Sequence, residues 1–192
     1  MTSTTLKRFL PAFIIVLAYA VTATAPVLAN DIPMAKMNKA GLYVQPWISK
    51  TTGDLRKDLK LAQADGKTLA LLWEQKGCVY CLKMNMVNFR DHKTVNYIKK
   101  NFRVIMMDLR GKSEITDFDG DRLPQEILAD KHRINATPVT SYFKKVNSTI
   151  TEVFRMPGFT GLPLFLDIYE YVAESGYEKA SLSDWLKART AK

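Results

Sequence analysis

An α/β fold, with a central mixed β-sheet flanked by helices and one extra helix in front, is what this sequence of 192 residues predicts. Three observations lead there. Short apolar runs, "TLALLWEQ" at 68–75 and "FRVIMMDL" at 102–109, alternate with segments compatible with helices. Two further strand-like runs, "PVTSYFKK" and "STITEVFRM", are separated only by Val146 and Asn147, which predicts an antiparallel hairpin. No internal repeat or low-complexity tract breaks the pattern.

In chain order, the first helix is "GDLRKDLKLAQADG", which sets Leu55, Leu59 and Ala62 on one face and offers Gly66 as a C-terminal cap. The strand "TLALLWEQ" then runs into the cysteines. A helix is expected from Cys78 to about Phe89, and Asp91 can cap the next one, "HKTVNYIKKNF". After the strand "FRVIMMDL", the stretch "DFDGDRLP" reads as a turn, and "PQEILADKHRI" as a helix with Pro124 near its first position. The hairpin follows, and "LPLFLDIYEYVAES" and "SLSDWLKART" close the chain as helices. Residues 30–50 read as an arm, since Pro33 and Pro46 prevent a long helix, and residues 51–192 as the domain proper.

The chemistry is concentrated in "WEQKGCVYCLK", which holds the only two cysteines, Cys78 and Cys81. Covalent haem attachment requires His after the second cysteine, where Leu82 stands. A structural zinc site needs four ligands, and the chain adds only His92 and His132, far apart. A redox dithiol fits the spacing. Cys78 follows a predicted buried strand and starts a helix, so its sulfur meets free backbone N–H groups and the positive end of the dipole, which favour the thiolate. Cys81 lies nearly one turn on and can reach back to Cys78. Lys76, two positions upstream, could lower the thiolate pKa further, but reads first as a solvated surface lysine. Tyr80 suits either the contact surface near the cysteines or a partly buried packing role. A copper(I) site on the same two cysteines stays open as the rival of another class.

The first 29 residues have the three parts of a secretory signal peptide: Lys7 and Arg8, the uncharged run "FLPAFIIVLAYAVTATA", and small residues Val27 and Ala29 before the expected cleavage point. Its strongly apolar stretch is about 15 residues, short of the roughly 20 a spanning helix needs. Cleavage removes Lys7 and Arg8 and so lowers the net charge from +9 to +7. The remaining basic surplus is spread along the chain, which suits solubility and mild attraction to acidic partners, not nucleic acid. A periplasmic or secreted monomer without a membrane insertion is expected. A disulfide spanning three residues constrains the unfolded chain little, so in an oxidising compartment the pair reads as exchange chemistry and not as a staple.

With these motifs assembled, the chain resembles exported thioredoxin-like thiol–disulfide oxidoreductases. "WEQKGCVYC" is similar to their F-E-Q-x-G-C-x-Y-C, "INATPVTSYF" to their cis-proline segment, and "FRMPGF" to the R-x-P-G-[FY] after the hairpin. "LFLDIYEYVAESGYEKASLSDWL" is similar to the tail of the SoxW-type subgroup, named for periplasmic sulfur oxidation. The resemblance spans about Leu55 to Trp185. It implies a thioredoxin fold, Cys78 as attacking and Cys81 as resolving cysteine, and Thr137-Pro138 as the loop that faces them and pairs with a substrate chain. It further implies an exported protein disulfide as substrate, a membrane thiol carrier as electron donor, and no cofactor beyond the Cys78–Cys81 disulfide. Where many thioredoxins bury an Asp as proton relay, the only acid of the strand is Glu74, which reads equally as that relay or as a strand-end acid facing solvent. The dipeptide between the cysteines is Val-Tyr, and Val79 supplies no donor or charge to hold a very low-pKa thiolate. A reducing or isomerising role is therefore favoured over a strongly oxidising one.

Other features read as structural. "DFDGDR" begins like a calcium loop but has Leu128 at its twelfth position, so a turn is expected. Met34, Met37, Met84, Met86, Met106, Met107 and Met156 are scattered as core filler would be. His92 and His132 fall at or in predicted helices and read as capping or surface residues.

Overall fold

The computed structural model describes residues 1–2 and 32–191, so the signal-peptide reading falls, from residue 3 on, outside the described residues. The elements are β1 (Lys36–Met37), β2 (Tyr43–Val44), α1 (Leu55–Ala64), β3 (Thr68–Glu74), α2 (Val79–Met86), α3 (His92–Asn101), β4 (Phe102–Asp108), β5 (Glu114–Thr116), β6 (Arg122–Pro124), α4 (Gln125–Lys131), β7 (Val139–Val146), β8 (Thr149–Pro157), α5 (Leu164–Ala173) and α6 (Leu182–Thr190). The central sheet runs β4-β3-β7-β8. Its β3–β4 pair is parallel and the other two pairs are antiparallel, the mixed sheet expected from the alternation. No helix among the described residues is long and apolar enough to cross a membrane.

Strand β3 is buried along its whole length, which is why it reads as a continuous apolar run. Its side chains alternate between two cores. Leu69, Leu71 and Trp73 pack with Leu55, Leu59 and Ala62 of α1 and with Leu128 and Ala129 of α4. Ala70 and Leu72 pack on the opposite face with Met84 of α2, Val95 and Ile98 of α3, and Phe165 and Tyr169 of α5. The same alternation puts Glu74, two residues past Leu72, on the α2 face. This placement decides what lies beneath the cysteines.

The caps behave as their chemistry dictates. Asp54 accepts from the Arg56 backbone N–H at the start of α1, and Asp91 from that of Thr94 at the start of α3. At the end of α1, Gly66 takes φ +67°, with its N–H on Gln63 O and the Lys67 N–H on Ala62 O, a Schellman closure. The helix expected to reach Phe89 stops at Met86 and is followed by a 3-10 turn, Asn88–Arg90.

Two local expectations are corrected. The β7–β8 connector is Asn147–Ser148, one residue later than expected, with Val146 paired to Thr149 in the ladder. Both connector residues have positive φ, +46° and +71°. A tight hairpin following the strand twist requires this, and a β-branched Val resists it. The stretch "DFDGDRLP" is a turn only at 117–121, because Arg122–Pro124 pairs with Glu114–Thr116 as a small hairpin. Strands of three residues carry too little alternation to be seen in sequence.

That turn is organised around a lysine. The Lys131 ammonium, at the end of α4, lies within 3.0 Å of a carboxylate oxygen of each of Asp117, Asp119 and Asp121. His132 Nε2 is 2.9 Å from Asp117 Oδ1. Burial works to raise the Asp117 pKa, but hydrogen bonds from His132, the Phe118 N–H and Lys131 outweigh it and hold the carboxyl at about 2. A depressed carboxyl contributes stability above its unfolded value, near 4, and loses it as pH falls through about 2. Asp117→Asn should therefore cost on the order of 2 kcal/mol at pH 7. Urea unfolding from pH 5 down to 2 should show a shallower acid loss in the variant. Identical acid limbs would remove Asp117 from this role.

The arm, described from Ile32 to Lys50, contains the small β1–β2 ladder. It then runs beside β4, where the Ser49 N–H donates to Val104 O at 2.9 Å. Because β4 is an edge of the sheet, the arm covers part of its open backbone.

Candidate active site

Cys78 is the N-cap of α2 in extended backbone geometry, where the chain leaves β3 through Gln75–Gly77. Cys78 and Cys81 form a disulfide with Cα atoms 5.2 Å apart. The Cys81 N–H points at Cys78 Sγ, 3.0 Å away. That donor, with the Val79 and Tyr80 N–H groups that the first helical turn leaves unpaired, favours negative charge on the Cys78 sulfur once the bond is opened. In the disulfide form both cysteines are largely covered. Cys78 is 7% exposed and Cys81 0%, so Cys78 is the more accessible of the two.

Tyr80 is exposed and stacks on Phe159, with ring centroids 6.5 Å apart at 19°. This settles its packing as surface and not as core. Phe159 also lies under the Lys83 ammonium, 4.9 Å from the ring centroid. The loop carrying Phe159 is tied to the helix side by Asn88 Nδ2, which donates to Thr160 O at 2.9 Å. Val79, Leu82, Met86 and Val87 are exposed as well, so the helix presents apolar surface beside the dithiol.

Thr137–Pro138 precedes β7, and its peptide bond is cis. Pro138 is buried, and its carbonyl accepts the Gly158 N–H at 2.8 Å. The "FRMPGF" segment thus holds the proline loop through Gly158, whose φ is +74°. Among the described residues the Thr137 backbone makes no hydrogen bond, and its buried Oγ1 has no partner.

Glu74 is fully buried, which removes the solvent-facing reading of this side chain. Desolvation raises its pKa to about 7, against the nearby Tyr43 backbone and an Asn85 side-chain bond, which favour the anion. Asn85 was not foreseen. Its Nδ2 donates to Glu74 Oε1 at 3.2 Å and to Cys81 O at 3.0 Å, so one amide joins the acid to the helix turn of the second cysteine. Gln45, from the arm, donates to Asn85 Oδ1 at 3.1 Å. The signal for Asn85 was present, a polar residue four positions after Cys81 on the face that also carries buried Met84. For Gln45 nothing in its neighbourhood marks it.

The remaining candidates lie elsewhere. His92 opens α3 on the surface, and His132 ends α4 beside Asp117. Of the methionines, Met84, Met107 and Met156 are core, whereas Met34, Met37 and Met86 are exposed, so filler describes only part of the set.

No curated protein matches the chain by sequence. Among solved structures, a thioredoxin-fold protein from Helicobacter pylori is 20% identical with a TM-score of 0.55, over 65% of this chain and 82% of its own. A thioredoxin from Thermus thermophilus is 22% identical with a TM-score of 0.51, over 65% and 86% respectively. At these identities the likeness establishes the fold. The sequence profile of the thioredoxin-like domain family matches residues 55–173, which span β3, the cysteine pair, the proline loop, the hairpin and α5. With that match over more than half its length, the chain belongs to the thioredoxin-like domain family, an oxidoreductase fold with Cys78 and Cys81 as a disulfide-capable pair.

Proposed function

We propose that the chain is a periplasmic thiol–disulfide oxidoreductase that reduces disulfides of exported partner proteins. The observation that carries this reading is the Cys78–Cys81 disulfide at the start of α2, with the more accessible sulfur on the capping residue. In the reduced form the Cys78 thiolate attacks a partner disulfide, and one partner sulfur leaves as thiolate. Cys81, deprotonated, then attacks Cys78 Sγ and expels the second partner sulfur. Two electrons pass to the partner, whose two sulfurs take up two protons, and the chain is left with the disulfide seen here.

The Thr137 backbone, which makes no hydrogen bond among the described residues, would offer strand-like contacts to an extended partner segment, and Tyr80 with Phe159 would offer apolar contact. Glu74 is the group that exchanges a proton with Cys81. The leader-like first 29 residues support export, and a membrane thiol carrier would return the electrons. The dithiol is the whole redox centre, and the protein works as a monomer without nucleic acid. Within the family, the tail resemblance supports a SoxW-type role in sulfur oxidation.

The test is paired. Brief iodoacetamide treatment of the reduced protein at pH 7, read by mass spectrometry, should label Cys78 at least tenfold faster than Cys81. The same protein should catalyse insulin-disulfide reduction by dithiothreitol. Equal labelling with no catalysis, together with tight copper(I) binding, would replace the redox reading with a metal-binding one.

A further inference from the structure

The arm lies outside the family match, yet it meets the redox site at three successive points. Gly41 sits under the Lys76 side chain, so closely that a Cβ there would come within 2.8 Å of Lys76 Cγ. The Tyr43 backbone lies close enough to the Glu74 carboxyl to favour its anion. Gln45 enters the protein interior, fully buried, and donates to Asn85.

The bonding leaves Asn85 one arrangement. Cys81 O can only accept, so Asn85 Nδ2 must point at it, and the amide's other N–H falls on Glu74 Oε1. Asn85 Oδ1 then faces the opposite way, buried, and needs a donor. Gln45 Nε2 is that donor. Take it away, and Asn85 gains by rotating toward any other donor, which pulls Nδ2 off Glu74. Glu74 Oε2 is already buried with no partner, so the Asn85 bond is the only side-chain donor the carboxyl has among the described residues.

We infer that Gln45 is a positioning residue for the redox reaction: through Asn85 it fixes the Glu74 carboxyl against the helix turn of Cys81, so that the arm and the dithiol work as one unit. This rests on the oxidoreductase reading and on Glu74 as the proton partner. During reduction a thiolate attacks Cys78 Sγ, the S–S bond breaks, and Cys81 leaves with the electron pair. The departing sulfur takes the proton held by Glu74.

The ionisable groups around Glu74 are few. Strand β4 brings Asp108 to its register position, β2 brings Tyr43, and α2 brings Cys81. Lys76 follows on the same chain segment, and β7, whose pairing with β3 ends at Val139, brings none there.

Two measurements on full-length Gln45→Leu test the inference. Carboxyl-carbon NMR of the oxidised protein reports the Glu74 titration. The ratio of wild-type to variant rates of disulfide reduction by dithiothreitol, taken from pH 5.5 to 9, reports the proton step. The Glu74 inflection should move up by about one pH unit, because its side-chain donor is lost. The rate ratio should depart from a constant across the same interval. A lower melting temperature with both profiles unmoved would make Gln45 merely structural and overturn the inference. So would a shifted Glu74 titration with a pH-independent rate ratio. If Gln45→Leu does not fold, Gln45→Met, closer in shape, carries the same readouts. A wild-type protein inactive on insulin would sink the oxidoreductase reading instead, and the NMR titration would still be readable.

Discussion

Cys81→Ser should accumulate covalent complexes with disulfide-bearing proteins, while Cys78→Ser accumulates few or none. The asymmetry follows from position. Cys78 caps α2 and is the accessible sulfur of the pair, whereas Cys81 is buried within the helix. Removing Cys81 leaves the helix-start N–H groups in place around the attacking sulfur, so the first displacement proceeds and the second has no nucleophile. Non-reducing gels of cells expressing Cys81→Ser should show extra bands that dithiothreitol abolishes. A trapped fraction at least tenfold above that of Cys78→Ser is expected. Comparable trapping by both variants would reverse the assignment of roles. No trapping by either would favour a site in which both sulfurs act together as ligands.

The oxidised protein should lose stability as pH rises from about 4.5 to 8, and Glu74→Gln should lack that loss. The folded-state value for Glu74, about 7, lies above the ordinary carboxyl value near 4.5. A raised carboxyl leaves stability at its full value below the unfolded pKa and withdraws it as pH rises through the folded one. Above pH 8 the charged, buried carboxylate costs on the order of 3 kcal/mol relative to its protonated form. A neutral amide cannot ionise, so denaturant unfolding of Glu74→Gln should be nearly flat over this range, whatever its absolute stability. A wild-type curve equally flat would mean that Glu74 is ionised at little cost, and its part as a proton reservoir would fall with it. The same substitution should slow disulfide reduction most where wild-type Glu74 is still protonated, below pH 7.

The two cysteines, the strand before them and the proline loop after them were readable because each depends on residues close together in sequence. A continuous apolar run makes β3, a C-x-x-C at its end makes the helix start, and Thr-Pro ahead of an apolar run makes the loop. Glu74 was visible as an acid, but its side was not. Only the alternation with Ala70 and Leu72, once their core is known, turns it inward toward α2. Asn85 depends on which helical face is buried, which one helix in isolation leaves open when its apolar residues also cover the outer face, as Leu82 and Met86 do here. Gln45 is forty residues from its partner and stands next to a proline in a segment with almost no regular structure. No local pattern encodes a contact of that kind. The short hairpin around residues 117–121 was missed for a different reason. Its strands are fixed by a charge cluster and three backbone pairs, and not by apolar alternation.

That cluster has a bearing on how the protein meets its surroundings. Three carboxylates in a tight turn ordinarily attract a dissolved divalent ion, and their order then follows the concentration of that ion. Here the positive charge is Lys131, delivered on the chain itself by the end of α4. A counter-charge joined by covalent bonds cannot be diluted, exchanged or removed by a chelator. Its local concentration is set by the length of a lysine side chain. The turn thus needs no dissolved ion to offset its charge, and it loses the Asp117 contribution as acid protonates that carboxyl near pH 2.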